Sequence, residues 1–419
     1  MATSAVLFPV SQYPVPLPEN GLLLEYATGN QSLRVPETTV ENEISALIKK
    51  IESKPGFDKN ILFDPKKHLI FKDEYFETTK KFTLDDLKIT KTHCQPQSKF
   101  GATFPFPLIT QEACDMLLYE SIQEKILEKY ARQPNPSFSK DATGLDFHVC
   151  GHIHDSPFTK SFWRCKDVHN IFSKFYGVPV TTMYDGDVGH LNISLASLNN
   201  DAAQGKSKEE LKLEMEKQNE KQNKEGGDQI PSVLGFHYDS VDFVCVIMLD
   251  CGDDMIGGET GIITGDEKTV RIPDPKVGHC TLMQGRVIRH VATKPLTNSN
   301  RITLVSGFVP SEVETLDNSV LTTIKPSVLP RTIHDENYSS WFEYRFKRME
   351  AYMKLYRETI VERLNNGEHF DQEEAVRKCK KLELYLRNSW CELEVVSNNP
   401  YPPPHFLTPY AELDDYESY

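Results

Sequence analysis

The feature that most constrains this sequence is a series of short β-branched segments within residues 181–310, separated by Gly, Asp and Pro. Segments of strand length that are bounded by turn residues are typical of antiparallel β structure. Many short strands joined by turns predict a barrel or a jelly roll. Strands are predicted at residues 190–198, 241–249, 269–272, 280–283, 287–292 and 302–309.

Helices are predicted on both sides of this β-rich region. Apolar residues recur at helical spacing in residues 40–51 and 110–130, and again after a capping-box pair at Ser340 and Glu343. Gly367 ends that helix, and another is expected to begin near Asp371.

We therefore predict an α+β fold in one domain that covers residues 1–419. Residues 1–180 form an N-terminal arm and a helical flank, and residues 181–310 form a jelly-roll core. Residues 311–419 form C-terminal helices and a tail.

Residues 201–228 interrupt the β pattern, because they are almost wholly Lys, Glu, Gln and Asn. Such a segment cannot bury enough apolar surface to form part of a core. We expect an exposed insertion, either disordered or a solvated helix. Two roles stay open for it: a lid over a functional site, or a surface decoration.

Charge and composition limit the partners of the chain. A net charge of −14 repels phosphate backbones, so nucleic acid is not an expected partner. No apolar run is long enough to cross a membrane. The nine cysteines are scattered and include no C-x-x-C pair, so reduced thiols and a cytoplasmic location are expected. The sequence makes no prediction of the oligomeric state.

A candidate metal site starts at residues 235–240, which read Gly-Phe-His-Tyr-Asp-Ser. Side chains at i and i+2 of a strand point to the same face, so His237 and Asp239 are able to reach one metal ion. An imidazole and a carboxylate suit a ferrous ion that keeps open coordination positions. Motifs of this general type also occur at residues 334–336 and 369–371, but they lie near predicted helix starts, where acidic residues act as caps.

A third ligand is expected from His290, which lies in a predicted strand. Arg301 follows eleven positions later, a spacing that allows a turn and a returning strand. A guanidinium at that position can hold a carboxylate through two parallel hydrogen bonds, and Thr303 shares its face. His279 is the main rival for the third ligand, with Arg289 ten positions after it, but no returning strand follows Arg289.

The order of these residues resembles the Fe(II)/2-oxoglutarate-dependent oxygenases, which have a double-stranded β-helix core. The resemblance also includes the Gly-Gly-Glu-Thr turn at residues 257–260 and the Lys-Val-Gly turn at 276–278, and it covers residues 181–310. It implies that His237, Asp239 and His290 bind Fe(II), and that Arg301 and Thr303 anchor 2-oxoglutarate.

The same resemblance implies a reaction. Oxygenases of this family use O2 and 2-oxoglutarate to attack a C–H bond, and hydroxylation, desaturation or ring closure follows. The flanking helices resemble those of fungal secondary-metabolism members. Some of these act on free amino acids, which makes an amino acid or a related small molecule the expected substrate.

Several further assignments are weaker. Asn192, Tyr184 and Arg286 are candidate substrate contacts, although a structural amide and a surface arginine are the ordinary alternatives. His152 and His154 with Cys150 form a metal-like pattern but lack a fourth ligand. Two other functions stay open: an iron oxidase of the same fold that needs no 2-oxoglutarate, and a jelly-roll protein that binds zinc without oxygenase chemistry.

Overall fold

The computed structural model describes residues 38–132, 141–142, 145–196, 205–227, 229–273, 276–322 and 334–390. The expected N-terminal arm and C-terminal tail lie outside these ranges. No helix within them combines the length and the hydropathy that a membrane span requires.

Ten α-helices occur in the described residues. They are α1 (Thr38–Glu52), α2 (Pro65–His68), α3 (Asp73–Thr78), α4 (Gln111–Ser121), α5 (Glu124–Tyr130), α6 (Pro157–Trp163), α7 (Lys166–Tyr176), α8 (Lys208–Glu225), α9 (His334–Asn365) and α10 (Gln372–Trp390).

Thirteen strands occur in the same ranges. They are β1 (Lys81–Thr83), β2 (Phe100–Thr103), β3 (Phe106–Pro107), β4 (Ala131–Arg132), β5 (Asp146–Val149), β6 (Val180–Thr181), β7 (His190–Ser194), β8 (Phe243–Cys251), β9 (Thr260–Ile263), β10 (Thr269–Ile272), β11 (His279–Met283), β12 (His290–Ala292) and β13 (Arg301–Pro310).

The strands form two antiparallel sheets, so the fold mixes helices with antiparallel β structure. The larger sheet has the order β1-β2-β11-β8-β13-β7-β5-β4, with β3 paired to β11 and β6 paired to β13. The smaller sheet has the order β10-β9-β12. Single bridges from Ser232 to Thr293 and from His237 to His290 add the segment before β8 to the free edge of β12.

The two sheets share an apolar interior. Val244 and Met283 of the large sheet belong to one buried cluster with Ile262 and Ile272 of the small sheet. This interior also carries the polar residues of the candidate site, because side chains alternate between the two faces of each strand.

The helices cover the opposite face of the large sheet. Tyr176 of α7 stacks on Phe243 of β8 with ring centroids 4.3 Å apart, and Phe172 meets Phe308 of β13 at 5.1 Å. A strand that is buried on both faces needs apolar residues at nearly every position, and this explains the almost continuous apolar run of β8.

Most predicted strands are present with shifted ends, but three expectations were wrong in detail. No strand is predicted at β9, of which only Thr260 belongs to the predicted turn at residues 257–260. The helix predicted over residues 110–130 is two helices, because Gln123 is extended (φ −66°, ψ 144°) and its side chain donates to the carbonyl of Tyr119. Helix α9 begins at His334, six residues before the capping pair at Ser340 and Glu343.

The charged insertion is a docked helix over its described residues. Helix α8 starts with a capping box between Ser207 and Glu210. Arg271 of β10 donates to Asn219 at 2.7 Å, and the amide of Thr269 donates to Asn223 at 2.7 Å. Thr269 and Arg271 point to the face of β10 opposite to Ile272, whose side chain lies in the interior between the sheets. Helix α8 therefore packs on the outer face of the small sheet, and its described residues do not form a lid over the interior.

Candidate metal centre

The main-chain pairing of His237 with His290 brings two imidazoles together. Each residue donates its amide to the carbonyl of the other, at 3.0 and 2.9 Å. A pair bonded in both directions keeps its side chains on the same face. The two imidazole centroids are 4.6 Å apart.

The hydrogen bonds at Nδ1 set the tautomer of both imidazoles. Nδ1 of His237 lies 2.8 Å from the carbonyl of Gly235, and Nδ1 of His290 lies 3.0 Å from the carbonyl of Ile288. A carbonyl only accepts, so each Nδ1 carries the proton, and in the neutral ring the lone pair is on Nε2. Burial lowers the pKa of His290, although Asp239 opposes this shift. The neutral form is therefore favoured.

Asp239 completes the group from the same strand. Its Oδ1 is 3.7 Å from Nε2 of His237, and its Oδ2 is 3.3 Å from Nε2 of His290. Oδ2 is buried and has no hydrogen-bond partner. Burial raises the pKa of this carboxyl, but the attraction of the two imidazoles outweighs burial and leaves the pKa below its usual value. Asp239 is therefore a carboxylate whose Oδ2 has no donor.

Gly285 makes room for this carboxylate. A Cβ at residue 285 would overlap Oδ2 of Asp239 and would also press on Val244. The carbonyl of Gly285 accepts the amide of Asp239 at 3.0 Å, so the close approach fixes the ligand strand as well. The sequence analysis did not identify this requirement, because a single glycine between two strands has no distinctive local pattern.

The donor set fits a divalent metal ion. With both Nδ1 atoms hydrogen-bonded to carbonyls, the two Nε2 lone pairs and a carboxylate oxygen are three acceptors that one cation could engage together. His237, Asp239 and His290 have ligand atoms within 4.8 Å of one another, and no second group of this kind occurs in the described ranges. Two imidazoles and one carboxylate that leave coordination positions open are the set typical of non-haem Fe(II).

The residues between the ligands face outward, as strand alternation predicts. Phe236 is buried on the outer side of the small sheet with Ile230, Ile263 and Val291. Tyr238 packs against His93 with ring centroids 4.5 Å apart. The ligand strand is therefore anchored on the side away from the ligands.

Arg301 is buried in the interior between the sheets. Its Nε donates to the carbonyl of Gly258 at 2.7 Å, and its Nη1 is 3.4 Å from Oγ1 of Thr303. Burial lowers the pKa of Arg301 to about 10, with Glu259 opposing. The side chain remains a cation at neutral pH. It has no ion pair within the described part of the chain.

A small cavity lies beside Arg301. Its volume is about 20 Å³, and its lining includes Met248, Thr260, His279 and Thr281. Thr260 pairs with Ala292, two residues along β12 from His290, so it lies on the inner face that carries this ligand. Arg301 and the three candidate ligands therefore face the same interior.

Of the weaker substrate candidates, Asn192 faces the same interior as Thr303, because directly paired residues of antiparallel strands point to one face. Asn192 pairs with Thr303 across the sheet and contacts Nδ1 of His148 at 2.5 Å. Tyr184 packs against α9, 6.3 Å from the ring of Trp341. Arg286 is buried and not a surface arginine, the alternative to a substrate contact: it is 5% exposed, and its Nε donates to the carbonyl of Asn318 at 3.0 Å.

The rival histidines do not join the cluster. His279 lines the cavity beside Arg301 and contacts the carbonyl of Val277 at 3.2 Å. His152 is fully buried, with Nε2 2.8 Å from Oγ of Ser121. Nε2 of His154 lies 3.1 Å from Oε1 of Glu336, the last residue of the competing motif at residues 334–336. In the competing motif at residues 369–371, Asp371 caps α10, because its side chain accepts a hydrogen bond from the amide of Glu374.

One buried acid near the cluster was missed by the sequence analysis. Asp187 is 4% exposed, and its Oδ2 has no hydrogen-bond partner. Burial raises its pKa to about 7; His190 opposes this shift, and the charge of Asp239 adds to it. An aspartate in a Gly-Asp-rich turn reads as an ordinary turn residue, so only the fold reveals its environment.

The chain was compared with protein families, with curated proteins and with solved structures, and only solved structures show similarity to it. No family model and no curated protein matches the chain. A structure search finds similarity to solved structures that include IDO from Bacillus thuringiensis (15% identity, TM-score 0.22, 38% of this chain and 63% of that one). It also finds the non-heme alpha ketoglutarate dependent epimerase SnoN from nogalamycin biosynthesis (10%, 0.26, 40% and 62%) and the dioxygenase for auxin oxidation in rice (10%, 0.24, 66% and 71%). The chain spans less than two thirds of the first two structures. Superpositions with such low scores establish neither a shared fold nor a shared activity.

Proposed function

We propose that this protein is a non-haem Fe(II) oxygenase that uses 2-oxoglutarate and O2 to attack a C–H bond of a small molecule. The observation that carries the proposal is the convergence of Nε2 of His237, Nε2 of His290 and the Asp239 carboxylate. The Asp239 oxygens lie 3.3 Å from Nε2 of His290 and 3.7 Å from Nε2 of His237. Both Nδ1 protons are hydrogen-bonded to carbonyls, and Oδ2 of Asp239 has no donor, so a cation among the three groups is favoured.

The path of the chain supports a double-stranded β-helix as the finer fold. The chain alternates between the sheets except at the β9–β10 hairpin: β7, β8, β11 and β13 are in the large sheet, and residue 237, β9, β10 and β12 are in the small one. The order β11-β8-β13-β7 therefore faces β10-β9-β12 and the bridge at residue 237. We propose that this core places the ligands at one level of a closed interior.

Each residue has a defined role in this proposal. His237, Asp239 and His290 would hold the metal, and the carbonyls of Gly235 and Ile288 orient the imidazoles through Nδ1. Arg301 would hold the distal carboxylate of 2-oxoglutarate, assisted by the Thr303 hydroxyl. Fe(II), with 2-oxoglutarate and O2 bound, supplies the oxidising power that breaks a C–H bond. The apolar walls from Val244, Met283 and Ile262 exclude water.

One observation favours the iron oxidase as a second candidate. The cavity of about 20 Å³ beside Arg301 has room for about one water molecule, which is less than 2-oxoglutarate needs. Under the leading proposal, flexible neighbours such as Met248 and Met255 must move when the co-substrate binds. An oxidase that takes all its electrons from the substrate requires no such opening.

The decisive experiment measures succinate. Protein purified without oxygen is loaded with Fe(II), and ascorbate, 2-oxoglutarate and a panel of free amino acids and their derivatives are added. We expect one panel member to stimulate succinate release. Substrate oxidation without succinate would favour the oxidase, and tightly held zinc without any iron-dependent turnover would favour the zinc protein.

Two histidine variants form a matched pair for metal binding. His290→Ala removes a proposed ligand and should abolish iron retention. His279→Ala removes the rival imidazole on β11, the preceding strand in the chain, and should leave iron retention unchanged. The reverse result would refute the ligand assignment.

A further inference from the structure

A second cavity lies against the C-terminal helices and is much larger than the one beside Arg301. Its volume is about 680 Å³, within the range of small-molecule sites. The walls come from the loop at residues 92–97, the loop at 314–318, and helices α9 and α10. None of the proposed metal or 2-oxoglutarate ligands lines it.

The cavity wall is rich in cations. Arg377, Lys378, Lys380 and Lys381 of α10 all line it. A cluster of four positive side chains is notable in a chain whose net charge is −14. Spacings of three and four residues place side chains on one helical face, so Arg377, Lys380 and Lys381 project together toward the cavity.

Three acidic residues, Glu314, Asp317 and Glu374, also line the cavity, and two of them pair with cations that are not among the four of α10. Asp317 is fully buried and pairs with Arg345 at 3.2 Å. It also accepts from the hydroxyls of Tyr344 and Tyr385, at 2.7 and 2.8 Å. Glu374 pairs with Arg363. The positive charge of α10 is therefore not cancelled by these two acids.

Lys381 shows this excess most clearly. Within the described ranges its ammonium has neither a hydrogen bond nor an ion pair. Burial lowers the pKa of Lys381, and the nearby charge of Lys378 lowers it further, against the opposing charges of Asp242 and Asp317. Lys378 lies over the ring of Tyr352 at 5.2 Å. An anion in the cavity would form ion pairs with both ammonium groups, neither of which has one among the residues that the structure describes.

The same cavity has an apolar wall and reaches the metal-binding segment. Leu316, Tyr352, Leu384 and Tyr385 give it apolar and aromatic surface. On the other side, His93 packs on Tyr238, between the two ligands of the H-x-D motif. An occupant would therefore contact residues that support His237 and Asp239.

We propose that this cavity binds a small organic anion with at least two negative charges, held by Lys378 and Lys381 and packed against Tyr352 and Leu384. Carboxylates and phosphate esters share this chemistry. The proposal does not depend on the oxygenase assignment, because the cavity contains none of the residues that carry that assignment.

The test is a calorimetric titration of the full-length, metal-free protein at low ionic strength. One arm uses citrate and the other uses adenosine monophosphate, so that carboxylates are separated from phosphate esters. We expect at least one arm to show one binding site that weakens as salt is added. Lys381→Met and Lys378→Met should each weaken binding about tenfold or more, since each removes a charge-assisted hydrogen bond.

Controls separate this cavity from other cationic sites. Lys354→Met changes an exposed lysine of α9 outside the cavity and should leave affinity unchanged. Arg301→Met tests the interior between the sheets and should also leave it unchanged. Thermal unfolding without ligand checks that each variant folds. The proposal is overturned if neither anion binds, or if the two lysine variants bind as tightly as the unmodified protein.

Discussion

Substitution of Asp239 by Asn distinguishes the effect of this carboxylate on the stability of the metal-free protein from its effect on metal binding. Oδ2 of Asp239 is buried without a donor and lies 3.3 Å from Nε2 of His290. An amide in that place can donate to the Nε2 lone pair and carries no charge. The lowered pKa of Asp239 means that the charged carboxylate contributes some stability of its own, so we expect the metal-free Asp239→Asn variant to lose only about 1 kcal/mol.

The loss of metal binding should be large in comparison. Two unit charges about 4 Å apart interact with roughly 4 kcal/mol at an effective dielectric constant of about 20. Loss of the carboxylate should therefore raise the Kd for a divalent ion by about a thousandfold. A metal concentration of about one hundred times Kd stabilises the unmodified protein by about 2.7 kcal/mol. The same concentration is then about a tenth of the variant's Kd, and its stabilisation is close to zero.

The assay is urea unfolding with and without Fe(II) under nitrogen, and Asp317→Asn is the matched control. Asp317 is also buried, but Arg345, Tyr344 and Tyr385 satisfy its carboxylate. Breaking that pair should cost about 3 to 5 kcal/mol and leave the metal response intact. The reasoning is refuted if Asp239→Asn destabilises the metal-free protein as much as Asp317→Asn does, or if it keeps the metal response.

Three further predictions concern neighbouring residues. Gly285→Ala forces a Cβ against the Asp239 carboxylate. It should lower the free energy of unfolding by about 1 to 3 kcal/mol and abolish metal-induced stabilisation, both measured by urea unfolding. An unchanged metal response would contradict the close approach of Gly285 to Asp239. Arg301→Met should raise the Kd of the Fe(II)-loaded protein for 2-oxoglutarate by about tenfold or more in anaerobic titrations, whereas equal affinity would remove Arg301 from the co-substrate site. Asp187 has a pKa raised from 3.8 to about 7, so the folded state keeps a proton that the unfolded chain loses between about pH 4 and 7. Stability should fall by a few kcal/mol as pH rises through this window, and Asp187→Asn should remove that fall in unfolding curves measured from pH 5 to 8; an unaltered pH profile would argue against it.

Local periodicity predicted the elements that depend on neighbours along the chain. Strand alternation placed His237 and Asp239 on one face and Phe236 on the other, and this is their arrangement in the structure. The helix ends were less predictable. Helix α9 extends back to His334 although Ser340 and Glu343 form a plausible cap, because a local cap competes with packing that the sequence does not display.

Other features depend on residues that are far apart in sequence. The pairing of His237 with His290 could be anticipated from the order of motifs, but the orientation of both imidazoles depends on the carbonyls of Gly235 and Ile288. The polar composition of α8 predicted exposure, yet Asn219 and Asn223 fix this helix to β10. A polar side chain has no periodicity that reveals its partner.

The sequence alone identified the candidate ligands and their order, and it determined the face that His237 and Asp239 share, because side chains two residues apart on a β-strand point the same way. Only the tertiary structure decided that Gly285 lies against Asp239, that Asp187 is buried near the same carboxylate, and that the lysines of α10 enclose a cavity with residues 92–97. The physical reason is that burial and charge at a side chain are set by all the segments packed around it, and most of those segments are distant in the chain.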